Sequence, residues 1–181
     1  QGWVSDVVPF LVNGFKPVFV DVDMHHMSSS TDAIIDAITE DTKAVLMVHI
    51  LGFNGLTEKL MNVLEEKGIM LIEDCCESHG ATFNGRKIGT FGAMSNFSFY
   101  FGHHMTTIEG GTVCTNDPKI HDLARMFRSH GMTREASDVT QNYYKENYPD
   151  LNPLFTFAVP GFNVRSHELC AVMGRNQLKR L

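Results

Sequence analysis

Four cysteines, one tryptophan and no surplus of positive charge bound what this chain of 181 residues can be. Cys75, Cys76, Cys114 and Cys170 are too few and too unevenly spaced for a disulfide scaffold, and no Cys-x-x-Cys pair offers a zinc knuckle. They read as reduced, mostly buried thiols. Fifteen lysines and arginines stand against 21 acids, a formal charge of −6, so there is no basic stripe to follow a nucleic-acid backbone. A small phosphorylated ligand needs only local donors and stays open. No apolar run reaches the roughly 18 residues of a membrane span, and no basic-then-apolar leader opens the sequence. The expectation is a cytoplasmic protein with neither membrane nor nucleic acid among its partners. Internal repeats and low-complexity tracts are lacking too. The glycosylation triplet at Asn96 is a chance match inside an aromatic, strand-like run.

What is present suits a packed body: 43% of the residues are hydrophobic and 20% charged, which makes one domain the default. A helical pattern over 3–13 stops at Gly14, and 17–23 reads as a strand. Thr31 or Asp32 starts a helix to about 39; 43–49 is a nearly continuous apolar strand; 57–67 is a helix stopped by Gly68; and 69–74 is a strand. Strands near 94–100 and 111–115 follow, then a helix over 117–129 with Asp117 as cap and Pro118 in its first position. Residues 134–160 read as an irregular excursion, and helical pattern resumes at Arg165. Apolar strands alternating with helices predict an α/β fold with a mostly parallel, helix-covered sheet. Ligands then sit at the carboxyl ends of the strands.

The chemistry-bearing residues gather at those ends. Asp74 closes the strand over 69–74, where a carboxylate either caps the next helix or holds a pyridine nitrogen protonated. Ser98 lies in the aromatic run that leads to His103 and His104, and taken alone it is a strand serine bonded to backbone. His103 and His104 taken alone are a surface pair or a weak metal site. Asn163 and Arg165 taken alone terminate a loop and pair with a local acid. Trp3 is either interface filler or a stacking surface.

Four segments in order change that weighting. Trp3, the stretch from Asp74 to Ala81, the stretch from Ser98 to Gly111 and the Gly-Phe-Asn-Val-Arg box at 161–165 together resemble the DegT/DnrJ/EryC1/StrS group. These are fold-type I, pyridoxal phosphate-dependent enzymes acting on nucleotide-linked 4-keto sugars. The resemblance spans nearly the whole chain and implies a homodimer with a shared active site. It implies that Trp3 stacks on the cofactor ring, Asp74 meets the ring nitrogen, Glu77 faces the ring hydroxyl, Ser98 binds the phosphate and Asn163 reaches the phosphate of the neighbouring subunit. Position 77 is Glu where the group has Gln.

The sharpest departure is His103, five positions after Ser98, where the group carries the lysine that bonds covalently to the cofactor. Lysine can form that bond and move protons; imidazole only moves protons. The exchange resembles the 3-dehydratase branch of the group. It implies a non-covalently held pyridoxal or pyridoxamine phosphate, L-glutamate as amino donor, and one histidine that both removes a proton and helps the C3 hydroxyl leave. A related branch carries an iron–sulfur cluster, which needs four suitably placed thiolates; two adjacent and two distant cysteines favour the cluster-free route. No metal site is expected. Two alternatives stay open: an aminotransferase homologue that has lost its lysine, and a non-enzymatic dimerisation module. The resemblance further implies a partial cofactor-binding domain over 1–164, including the excursion at 134–160, then at 165–181 the start of a helix leading to a C-terminal domain, with the sequence truncated at both ends. His79, His104 and His130 receive no defined role.

Overall fold

In the computed structural model, which describes residues 2–181, the chain begins with helix α1 (Val4–Val12). A short antiparallel hairpin follows, β1 (Val22–Asp23) against β2 (Ser28–Ser29), then α2 (Thr31–Ala37), β3 (Ala44–Val48), α3 (Glu58–Lys67) and β4 (Met70–Asp74). Local chemistry sets these boundaries. The Thr57 hydroxyl accepts from the Leu60 N–H at 3.2 Å to start α3, and Gly68 ends it in the left-handed conformation at φ 64°. A second hairpin, β5 (Thr82–Phe83) and β6 (Arg86–Lys87), turns through Asn84 and Gly85, both at positive φ.

Strand β7 (Met94–Ser98), strand β8 (Gly111–Thr115), helix α4 (Pro118–Phe127), helix α5 (Asp138–Asn147) and helix α6 (Glu168–Gln177) complete the order. The Asp117 carboxylate caps α4, accepting from Lys119 and Ile120. The main sheet runs β3-β4-β7-β8, its first three strands parallel and β8 antiparallel to β7. This is the predicted mostly parallel α/β sheet. Ile34, Met47, Leu56, Leu60, Leu64, Ile69 and Leu71 form the core beneath α2 and α3; each such side chain contributes roughly 1.5–3 kcal/mol of burial.

Two expectations are corrected. Of the strand predicted over 17–23, only Val22 and Asp23 pair, and they pair with Ser28 and Ser29 outside the main sheet. Pro17 cannot donate, and Val18 and Phe19 lie exposed, so no neighbour completes a ladder there. The excursion at 134–160 contains a formed helix, α5, because the buried Asp122 carboxylate on α4 accepts from the Ser137 N–H at 2.9 Å and from the Ser137 and Thr140 hydroxyls at 2.6 Å. That anchor is 15 residues away in sequence, which is why polar composition alone read as loop. Among the described residues no helix is long and apolar enough to cross a membrane.

Candidate active site

Register brings the carboxyl ends of β3, β4 and β7 to one edge: Val48 pairs with Asp74, and Asp74 with Asn96, two positions before Ser98. Successive strand residues point to opposite faces, and Glu73 and Asp74 divide accordingly. Glu73 is fully buried and faces inward. Its Oε1 accepts from the N–H groups of Phe91 and Gly92 and its Oε2 from Gly89, all at 2.7 Å, with His49 Nε2 at 3.4 Å. Burial pushes its pKa up, but His49 and these three N–H donors outweigh it and hold the carboxyl below its ordinary value. Glu73 is therefore a clamp on the turn that enters β7.

Asp74 faces the open edge. Burial again works against its charge, yet Asp6, Cys76 and Asn96 hold its pKa below the ordinary value, and its Oδ1 accepts from the Cys76 N–H at 2.8 Å. Asp6, in the first turn of α1, also receives the Trp3 N–H at 2.8 Å. Trp3 thus reaches the same edge with its side chain 73% exposed. Glu77 lies in the turn after β4, where its Oε2 accepts from the N–H of Leu51, a residue held at φ 52°. One carboxylate oxygen is therefore committed to bracing the turn after β3.

Ser98 ends β7, half-buried, and its Oγ accepts from the Tyr100 N–H at 3.1 Å. The loop then folds back. The His103 N–H donates to the Tyr100 carbonyl at 3.1 Å, and the imidazole stands edge-on to the Tyr100 ring at 5.4 Å. His103 Nδ1 is buried with no hydrogen-bond partner. Thr107 closes the loop, its N–H bonding to the Phe99 carbonyl and its hydroxyl to the Glu109 carbonyl. Between them Ile108 adopts φ 70°, a strained value for a β-branched residue. Helix α6 rests on this loop: a Cβ at Gly174 would lie 3.0 Å from Thr107 Cγ2.

Five of the six expected residues, Trp3, Asp74, Glu77, Ser98 and His103, thus lie along one edge of the sheet. Asn163 does not join them. It lies exposed on an antiparallel bridge with Ser129, its Oδ1 accepting from Arg165 Nε at 3.1 Å. One neighbour, Asp6, escaped sequence reasoning, and another, His79, was singled out there without a defined role. Asp6 offered only the signal of an acid in a helix's first turn. His79 stacks among Phe97, Phe99 and His104 at 5.4, 6.0 and 5.7 Å, with both ring nitrogens lacking partners; burial, then His104 and His103, lower its pKa. His130 occupies the left-handed region at φ 60° and donates its N–H to the Phe162 carbonyl.

The donor set fits pyridoxal phosphate. An ionised, nine-tenths-buried carboxylate suits a protonated pyridine nitrogen, and an unpartnered imidazole nitrogen is free to exchange a proton nearby. Residues 1–181 match the DegT/DnrJ/EryC1/StrS aminotransferase family. The chain is 36% identical over 179 residues to GDP-4-keto-6-deoxy-D-mannose 3-dehydratase of Yersinia pseudotuberculosis, an alignment covering 99% of this chain and 46% of that protein. It is similar to the solved structure of Escherichia coli GDP-4-keto-6-deoxy-D-mannose-3-dehydratase with bound hydrated PLP (TM-score 0.86, 34% identity, 99% of this chain, 46% of that one). It is similar also to GDP-4-keto-6-deoxymannose-3-dehydratase with a trapped PLP-glutamate geminal diamine (TM-score 0.85, 33% identity, 100% of this chain, 47% of that one). The chain spans about half the length of the curated relatives it matches.

Proposed function

This chain belongs to the DegT/DnrJ/EryC1/StrS aminotransferase family, and from that premise we propose that it carries the cofactor-binding part of a 3-dehydratase dependent on pyridoxal or pyridoxamine phosphate. Its substrate is a nucleotide-linked 4-keto-6-deoxyhexose, on a route to deoxysugars such as those of lipopolysaccharide O-antigen, in the cytoplasm. The observation that carries this reading is His103. An imidazole with a buried, unpartnered Nδ1 stands in the loop after β7, five residues beyond Ser98, where a relative with amino-transfer chemistry would present lysine.

When bound, the cofactor supplies an amine to condense with the sugar ketone and a ring that withdraws electrons. Asp74, held ionised by its neighbours, keeps the ring nitrogen protonated. Trp3 covers one ring face, and the Glu77 oxygen not committed to Leu51 faces the ring hydroxyl. Ser98 and the Asn163 of a second copy hold the phosphate. Asn163 supports a homodimer because in its own chain it lies on the surface, bridged to Ser129 rather than joined to the other five. His103 removes one proton and delivers one to the departing C3 hydroxyl, with L-glutamate renewing the amine. Residues 1–164 form the cofactor-binding domain, and the segment 165–181 that follows carries helix α6.

The test is product analysis on the full-length protein with pyridoxamine phosphate, glutamate and a GDP-linked 4-keto-6-deoxyhexose. The expected result is a 3-deoxygenated sugar with ammonia in equal amount. His103→Asn is expected to slow this by roughly 100–10,000-fold while still binding cofactor. An amino sugar as product would return the chain to the aminotransferases, and unimpaired deoxygenation by His103→Asn would remove the histidine from its role.

A further inference from the structure

Asp6 has no part in the reading above, yet it touches two residues that do. Its Oδ2 accepts from the Trp3 N–H at 2.8 Å. A Cβ at Gly2 would lie 3.3 Å from that oxygen and 3.7 Å from Val48 Cγ2, and Val48 is the register partner of Asp74. Asp6 therefore stands over the ends of β3 and β4, beside the Asp74 carboxyl. Two carboxyl groups can hydrogen-bond only with a proton between them.

We propose that Asp6 is the positioning residue of the ring site: its carboxyl ties the Trp3 main chain to Asp74 through one shared proton. The residue proposed for the ring face and the residue proposed for the ring nitrogen are then set by a single side chain. The proton belongs to Asp6, whose pKa burial and the Asp74 contact raise to about 7, while that of Asp74 stays below its ordinary value. The groups facing the pair are few. Cys76, at the end of β4, has its thiol pushed up to about 12 and is uncharged at neutral pH; Asn96 on β7 and Val48 on β3 do not titrate.

Linkage sets the direction. An opened Asp6 titrates near its ordinary 3.8, so the closed contact is strongest at low pH, weakens as pH rises from about 4 and levels off above about 7. Asp6→Asn keeps an acceptor for Trp3 and gains a donor for Asp74 but does not titrate. Asp6→Ala loses both contacts.

The first measurement uses the full-length protein without added cofactor: hydrogen-exchange protection of residues 2–8 between pH 5 and 8, corrected for intrinsic rates. Protection is expected to fall about a hundredfold in the wild type, to stay flat in Asp6→Asn and to be low throughout in Asp6→Ala. Wild type and Asp6→Asn sharing one profile, or Asp6→Ala matching wild type, overturns the proposal. The second measurement follows pyridoxamine phosphate affinity by equilibrium dialysis over the same range, since the inference rests on the cofactor reading. The ratio of wild-type to Asp6→Asn Kd is expected to rise with pH by a similar factor, which cancels the cofactor's own titrations; a constant ratio counts against the proposal. Failure of every protein to bind pyridoxamine phosphate refutes the cofactor reading instead, and the exchange profile still decides whether the shared proton exists.

Discussion

Replacing Glu73 by glutamine tests the clamp that seats β7, and its cost can be worked from the contacts. Glutamine keeps the volume and one oxygen, best placed against the N–H groups of Phe91 and Gly92, which the carboxylate receives at 2.7 Å. Its NH2 then confronts the Gly89 N–H, donor against donor, and His49 Nε2 loses the oxygen 3.4 Å away. One buried donor left unsatisfied costs about 1–3 kcal/mol, and the weakening of two bonds from charged to neutral acceptor adds roughly 1 kcal/mol. The sum, about 2–4 kcal/mol, is a large share of a typical domain stability of about 5–15 kcal/mol. Urea unfolding of wild type and Glu73→Gln at pH 7 and pH 3 measures it. The folded-state pKa of Glu73 lies below its ordinary 4.5, so the wild-type advantage is complete above that value and shrinks as pH falls through the lower one. Because residues 89–92 lead into the strand that ends at Ser98, cofactor affinity is expected to fall with stability. A difference under about 0.5 kcal/mol at pH 7, less than the net worth of one hydrogen bond, or an equal difference at both pH values, would refute the assignment of Glu73 as a charged clamp.

Asp122→Ala removes the anchor of α5. Ser137, Thr140 and His121 overcome burial to hold the Asp122 pKa at about 2 against an ordinary 3.8, so about 2 kcal/mol is expected to be lost at pH 7 and little near pH 2, with exchange protection falling first in α5. Ile108→Gly relieves a left-handed β-branched residue whose side chain is 61% exposed, and calorimetry is expected to show a gain of about 1 kcal/mol. Gly131→Ala drives a Cβ into the Val159 carbonyl oxygen at φ 83°, and about 3 kcal/mol or more of stability is expected to go, visible as a lowered urea midpoint.

Helices and strands whose limits rest on neighbours in the chain were legible from the residues alone. Thr57 and Gly68 bracket α3, Asp117 and Pro118 start α4, and the apolar runs at 44–48 and 70–74 became parallel strands. The site was legible in part for the same reason. The interval from Ser98 to His103 lies within one loop, and Asp74 ends one strand, so spacing preserves their meaning. Contacts that join distant parts of the chain were not legible. Residues 17–23 carry strand-forming side chains, yet pairing depends on what lies alongside. Helix α5 forms on a carboxylate from another helix. Asn163 has the composition of a site residue and a surface position away from the rest. Asp6 and Asp74 come together only in the folded chain, being far apart in sequence. By itself the sequence determined the elements, the order of the chemical groups and the histidine in a lysine's place, because these depend on local backbone preference and side-chain identity. Only the tertiary structure decided which acids share a proton and which polar groups stay unpaired, because both depend on burial and on contacts that sequence separation does not encode.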